Sequence, residues 1–348
     1  MTGEPKTPAV DRDSGLRARL HALKPPAAQR HGLRKLLRLL VSAALIGGLV
    51  YLGRKYRVGE VLAHTDPLYV GLGIAAYMLG QLTAAKRWHT LLLMSGFRPR
   101  FLPVLRANTV GMYASNFLPG VAGGDVVRPI ILYGAATVHK PQLYASVVFE
   151  RLCGIGSIAF LACAGAVWRG LNFGDWRFMI VAAVIVGAIL AGLWLVHLAR
   201  HAPLAGESRL ARFLRGLKEG SGHLIRYALS PKSVVIGLVY SLVFQLCYIA
   251  MFWCFLTSLG ARTSVFSVVL AAPLAWLASM TPVSLNGLGV REGTLVVVLT
   301  GMGVPQAEVT GAALMGLVPL FLISAVGAVW SLRMFSGGPV EPPPPAGG

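Results

Sequence analysis

The sequence predicts an all-α polytopic membrane protein, with about six full spans and two broken re-entrant helical hairpins arranged as an inverted repeat. Three observations predict it. The 348 residues are 55% hydrophobic and only 13% charged, with a mean hydropathy of +0.66, which excludes an ordinary soluble enzyme. The 32 Lys+Arg against 13 Asp+Glu gather in loops between apolar runs, as the positive-inside rule and anionic headgroups require, so a nucleic-acid partner is not expected. Two apolar stretches are each interrupted by proline, glycine and paired charge, which lipid alone cannot accommodate.

Residues 1–33 are polar, basic and rich in Pro and Ala, and read as a disordered N-terminal segment ahead of a membrane domain over 34–335. The first span, 36–52, begins too late for a cleaved signal peptide. The second, 68–85, is followed by Lys86, Arg87, Trp88, Arg98 and Arg100, a basic loop expected on the cytoplasmic side. Arg54, Lys55 and Arg57 fall on the opposite side against the rule. Residues 101–140 form the first broken segment; 144–168 and 178–198 are full spans. The basic loop 200–232 carries Leu210, Phe213, Leu214 and Leu217 at helical spacing, which predicts an amphipathic helix on the inner leaflet. A span over 234–256, the second broken segment 265–301, an outer loop 303–310 and a last span 314–332 complete the domain, before a Pro-rich disordered tail, 336–348. Trp88, Trp168, Trp176 and Trp330 fall near span ends, where an aromatic belt would lie.

Counting crossings from the basic loops puts both termini in the cytoplasm of a cell whose inner (plasma) membrane holds the chain. The segment 101–140 then enters and leaves from the cytoplasmic side, and 265–301 from the outer side. Span–hairpin–span occurs twice in opposite orientation, and the site is expected where the two tips meet.

The first tip holds Asn116, Pro119, Gly123, Gly124, Asp125 and Arg128; the second holds Pro282, Ser284, Asn286, Gly287, Gly289, Arg291 and Glu292; Glu150 and Arg151 lie in the span between. An intramembrane charge costs about 3 kcal/mol on the lenient scale, so these sets must be offset by pairing or by function. Asp125 and Arg128, three apart, can pair locally, or Asp125 can cap a restarting helix. Glu150–Arg151 and Arg291–Glu292 are adjacent, pointing about 100° apart on a helix, and are expected to find partners on other segments. The favoured expectation is one polar cluster lining a cavity rather than purely structural pairing. Arginines suit a lipid phosphate, the acids a cationic headgroup or a proton, and Asn116, Ser284 and Asn286 add neutral hydrogen bonds. No metal ligand set, no cofactor and no catalytic residue is expected. The four cysteines sit in apolar runs, the histidines are scattered, and Gly287-Leu288-Gly289 has no strand–turn–helix around it.

Through Pro119-Gly120, Gly123-Gly124-Asp125 with Arg128, Glu150-Arg151, and Pro282-Val283-Ser284-Leu285-Asn286-Gly287-Leu288-Gly289 with Glu292, the chain resembles the transmembrane flippase-like region of lysylphosphatidylglycerol synthases and its stand-alone relatives. The resemblance covers residues 36 to 332, with Asp tolerated for Glu at Asp125. It implies a domain that moves a headgroup-modified lipid between leaflets, its partner being an anionic or aminoacylated membrane phospholipid or a lipid-linked substrate. A homo-oligomer is compatible with it. In two-domain members a soluble aminoacyl-transferase domain makes the lipid; no such domain is read here, so synthase activity is not expected. The second reading is a non-catalytic membrane partner of a lipid-modifying or glycosyl-transferring enzyme. The third is a membrane enzyme acting on a lipid-linked substrate, disfavoured because carboxylates beside arginines stay ionised.

Overall fold

The computed structural model describes residues 58–115, 123–134, 141–174, 230–280 and 284–336, with isolated positions between them. Every regular element among the described residues is helical. In chain order these are α1 (Val58–Ala63), α2 (Pro67–Met94), α3 (Phe101–Ser115), α4 (Gly123–Tyr133), α5 (Pro141–Phe173), α6 (Pro231–Ser258), α7 (Val265–Ser279), a short 3₁₀ turn (Leu285–Gly287), α8 (Val290–Gly301), α9 (Gln306–Met315) and α10 (Leu317–Ser336).

Local chemistry sets the helix starts. The Asp66 side chain accepts from the Leu68 amide at 2.9 Å, and Pro67, whose missing N–H is no loss in the first turn, opens α2. Ser230 and Pro231 repeat the device at α6, and Ser264 caps α7 through the Phe266 amide at 3.2 Å. Among the described residues, four helical stretches are long and apolar enough to cross a membrane: Pro67–Met94, Gln142–Asn172, Pro231–Ser258 and Gln306–Leu332. The chain is a multi-pass membrane protein. The expected spans 36–52 and 178–198, the terminal segments and the amphipathic stretch of the 200–232 loop fall wholly or largely outside the described residues.

Two boundaries differ from expectation. The second span runs on to Met94, so Lys86, Arg87 and Trp88 belong to the helix, not to a basic loop. Helix resumes at Gln306, so most of the expected outer loop 303–310 is α9. In both places a polar residue in the sequence had marked an end, whereas the backbone hydrogen-bond ladder continues wherever neighbouring helices shelter it.

Both broken segments are helical hairpins: α3 and α4 pack against each other, as do α7 and α8. The two halves, α2–α5 and α6–α10, repeat one plan. Their first helices, α2 and α6, run antiparallel along their whole length: Ser233 meets Met94, Arg87 meets Ser241, Gly80 meets Cys247 and Gly73 meets Phe255, and the Asp66 amide donates to the Ser258 carbonyl at 3.0 Å. Each hairpin's first helix then packs on the last span of the other half, α7 on α5 and α3 on α10. Glycine makes both approaches close. A side chain at Gly165 would meet the Leu270 backbone, and one at Gly327 the Thr109 carbonyl. Trp168 stacks on Phe266 across the first of these contacts, its ring 4.6 Å away. Inverted first spans with hairpins exchanged across the halves make an inverted repeat.

The polarity is that of a protein solvated by lipid. Leu72, Leu79 and Leu82 on α2 and Val239, Val243 and Leu246 on α6 are exposed, while Gln81, Ser241 and Gln245 are buried. The larger apolar core gathers Phe252, Phe255, Leu295 and Leu299, and a smaller one gathers Trp88, Leu92, Leu143 and Val147.

Candidate functional site

A cavity of about 170 Å³ takes wall residues from both hairpins and from α2, α5, α6 and α10. It has room for several waters. Along α2 it extends from Tyr77 to Arg87, about 15 Å of helix.

The first hairpin closes on its glycines. The Ser115 hydroxyl donates to the Gly111 carbonyl and accepts from the Gly124 amide, each at 3.1 Å. A Cβ on Gly124 would occupy the same space as that carbonyl oxygen and hydroxyl, so the two helices meet only with glycine there. Gly123 is the first residue of α4, and Asp125 lies in its first turn, where the helix dipole favours an acid. Asn116 and Pro119 lie outside the described residues.

From Asp125 a continuous chain of charge crosses to α2. Arg151 Nε donates to Asp125 Oδ2, while Asp125 Oδ1 faces Arg128 Nη2 at 3.1 Å. Arg128 Nη2 reaches Glu150 Oε2 at 2.8 Å, an ion-pair contact rather than an aligned hydrogen bond, and Nη1 donates to Asn108 at 3.0 Å. Glu150 Oε1 accepts from Arg87 Nη2 at 2.6 Å, and Arg87 Nη1 donates to Ser241 at 2.6 Å. Glu150 is 2% exposed and Arg87 8%. Trp88 is fully buried, with the Arg128 guanidinium over its ring at 4.9 Å, so it is a cation–π floor and not part of an interfacial belt.

Arg87 is the cavity-wall residue that sequence reasoning assigned to a cytoplasmic loop. A signal for it existed: Tyr77, Gln81, Ala84 and Arg87 recur at helical spacing, and all four line the cavity.

In the second hairpin, Asn286 (φ 49°), Gly287 (φ 72°) and Gly289 (φ 82°) carry the chain through left-handed backbone. A Cβ on Gly287 would collide with Ser279. Glu292, 0% exposed, latches the turn: Oε2 accepts from the Gly289 amide at 2.7 Å, and Oε1 accepts from Arg291 Nε at 2.7 Å. The expectation that Arg291 and Glu292 need partners elsewhere is therefore corrected. The long arginine chain folds back across the 100° between neighbours and reaches the adjacent carboxylate. Glu150 and Arg151, by contrast, do take separate partners.

Of the expected residues, Gly124, Asp125, Arg128, Glu150, Arg151, Asn286 and Arg291 come together in the lining of this one cavity. Gly287, Gly289, Glu292 and the buried Ser284 do not line it, and Pro282 lies outside the described residues. The lining holds four arginines and two carboxylates, with a third carboxylate, Glu292, paired to Arg291. Among the described residues no three His, Cys, Asp or Glu side chains gather as a metal ligand set.

A family model described as the lysylphosphatidylglycerol synthase TM region matches residues 35–327. Two archaeal relatives, each named a UPF0104 membrane protein, are similar over most of their length. The one from Methanothermobacter thermautotrophicus is 21% identical over 310 residues, covering 78% of this chain and 86% of the relative. The one from Methanocaldococcus jannaschii is 17% identical over 303 residues, covering 80% and 88%.

Proposed function

The chain belongs to the family of the lysylphosphatidylglycerol synthase TM region, and from that premise we propose that it moves a phospholipid, or a lipid-linked headgroup, between the leaflets of a cell membrane. One observation carries the reading: a single cavity takes its wall from both inverted hairpins and is lined by four arginines and two carboxylates, with a third carboxylate, Glu292, paired to Arg291. Charge at this depth is costly in a membrane protein and marks substrate pathways. Arginine forks suit phosphate oxygens, and one surplus positive charge suits an anionic lipid. The carboxylates, held by arginine, serve binding and positioning rather than acid catalysis.

The test is translocation of acyl-labelled phosphatidylglycerol in vesicles holding the purified protein. The informative variant joins Asp125→Asn with Arg128→Gln. It removes one charge of each sign; Glu150 keeps Arg87 at 2.6 Å, and the new amide oxygen can still accept from Arg151, so the variant is expected to fold. The expected result is a rate at least tenfold below the parent. A stable double variant that moves lipid at the parental rate would make these charges structural and end the transport reading.

The proposed orientation puts the Met94 end of α2 in the cytoplasm. A cysteine introduced at Ser95 should react with an impermeant reagent only when the cytoplasmic face is open; reaction in intact cells would reverse the orientation.

A further inference from the structure

The cavity wall carries more polarity than its ion pairs and hydrogen bonds use: among the described residues Arg87 Nε, Arg128 Nε and Glu150 Oε2 make no hydrogen bond, and beside them on the lining stands an uncharged set. Among the described residues, every carboxylate oxygen at the site faces a cation or an amide, Glu150 Oε2 through its ion-pair contact alone. Asp125 faces Arg128 and Arg151, Glu150 faces Arg87 and Arg128, and Glu292 faces Arg291 and the Gly289 amide. A headgroup ammonium entering here would meet four guanidinium groups and carboxylates that are already taken. Those carboxylates are shared with arginine, so the net charge the ammonium meets is positive.

Elsewhere on the wall, α6 and α7 present three polar atoms with no partner among the described residues: the Gln245 amide oxygen, the Tyr248 hydroxyl and the Trp276 indole N–H. Gln245 is 2% exposed and Tyr248 3%. Buried polar atoms are almost always satisfied in folded proteins, so three together ask for something to bond. They are held as a group. Gln245 and Tyr248 are three residues apart on one face of α6, and the Tyr248 and Trp276 rings meet edge to face with centroids 5.8 Å apart. Arg291 lies within electrostatic reach of Tyr248. The trio offers an acceptor, a donor and a hydroxyl that serves as either, all neutral and beside aromatic faces. A ligand hydroxyl can donate to the amide oxygen while accepting from the indole, and its C–H face can lie on the rings. Water alone could also fill these positions, and the experiment separates the two.

Resting on the transport reading above, we infer that the cavity selects a phospholipid whose headgroup is an uncharged polyol, such as glycerol, inositol or a hexose, and excludes headgroups that carry an amine. The phosphate meets the surplus positive charge, and the hydroxyls meet Gln245, Tyr248 and Trp276.

The purified protein, in phosphatidylcholine vesicles, is given trace acyl-labelled phosphatidylglycerol, phosphatidylmethanol or phosphatidylethanolamine. Phosphatidylmethanol keeps the phosphate charge without hydroxyls; phosphatidylethanolamine brings the amine. Phosphatidylglycerol should cross at least tenfold faster than either. Tyr248→Phe and Gln245→Leu should each slow it about tenfold, the loss of one buried hydrogen bond, and leave phosphatidylmethanol unchanged. If all three lipids cross equally, or the variants slow all three alike, water fills these atoms and the selectivity inference is overturned while transport stands. Binding of the same lipids to the detergent-purified protein, read by tryptophan fluorescence, divides the remaining cases. Preferential binding of phosphatidylglycerol without translocation supports the polyol site and overturns the transport reading. Equal binding of all three overturns the polyol site.

Discussion

Glu150→Ala should destabilise the protein by about 3–5 kcal/mol, the largest effect expected of any single change at the site. The carboxylate is 2% exposed and holds two arginines at once, Arg87 at 2.6 Å and Arg128 at 2.8 Å. Removing it leaves Arg128 with Asp125 at 3.1 Å, but it strips Arg87 of its carboxylate partner and leaves it the Ser241 hydroxyl. A buried guanidinium without a counter-charge is among the most costly groups a fold can hold. The unfolding midpoint of the detergent-purified protein should fall by on the order of 10 °C. The companion variant, Glu150→Met with Arg87→Met, removes donor and acceptor together and should recover most of the loss, because an apolar pair of similar volume needs no counter-charge. A parental midpoint for Glu150→Ala would mean that the two arginines do not depend on it.

The second large effect is at Glu292, where one side chain does two things. It satisfies the Gly289 amide at 2.7 Å and neutralises Arg291 in the cavity wall. Glu292→Ala removes both, at a cost of about 1 kcal/mol for the cap and about 2–3 kcal/mol for the stranded arginine, which lines the cavity rather than the packed core. Glu292→Gln separates them. Its amide oxygen can still accept from Gly289, so the cap returns, while the charge does not. The expected order of unfolding midpoints is parent, then Gln, then Ala, with Arg291→Met partly rescuing Ala. Equal midpoints for Gln and parent would show that the cap alone stabilises the turn and that the ion pair adds nothing.

Both sites show how far local sequence pattern reaches. The hairpin breaks were visible because proline, glycine and charge inside an apolar run are incompatible with a continuous helix in lipid. Asp125, Arg128, Glu150 and Arg291 were visible for the same reason. Arg87 was missed, because four basic residues cluster from Lys86 to Arg100, and only the continuation of α2 to Met94 separates two of them, Lys86 and Arg87, from the loop. The Arg291–Glu292 pair was missed too, because spacing along a helix gives directions at Cβ and says nothing about how far a long side chain folds back. Gln245, Tyr248 and Trp276 carried no sequence signal, since a polar or aromatic residue in a span reads the same whether or not it has a partner.

The sequence by itself determined that this chain lives in a membrane, that it is helical, and that its two halves are inverted with a break in each. Those follow from composition, charge bias and backbone chemistry, all local quantities summed along the chain. Only the tertiary structure decided that each hairpin packs on the other half's last span, that Glu150 lies between Arg87 and Arg128, and that both hairpins wall one cavity. These depend on the register of one helix against another. Register is set by close contacts such as Gly73 with Phe255 and Gly165 with Leu270, between residues more than a hundred positions apart, where no local pattern reaches.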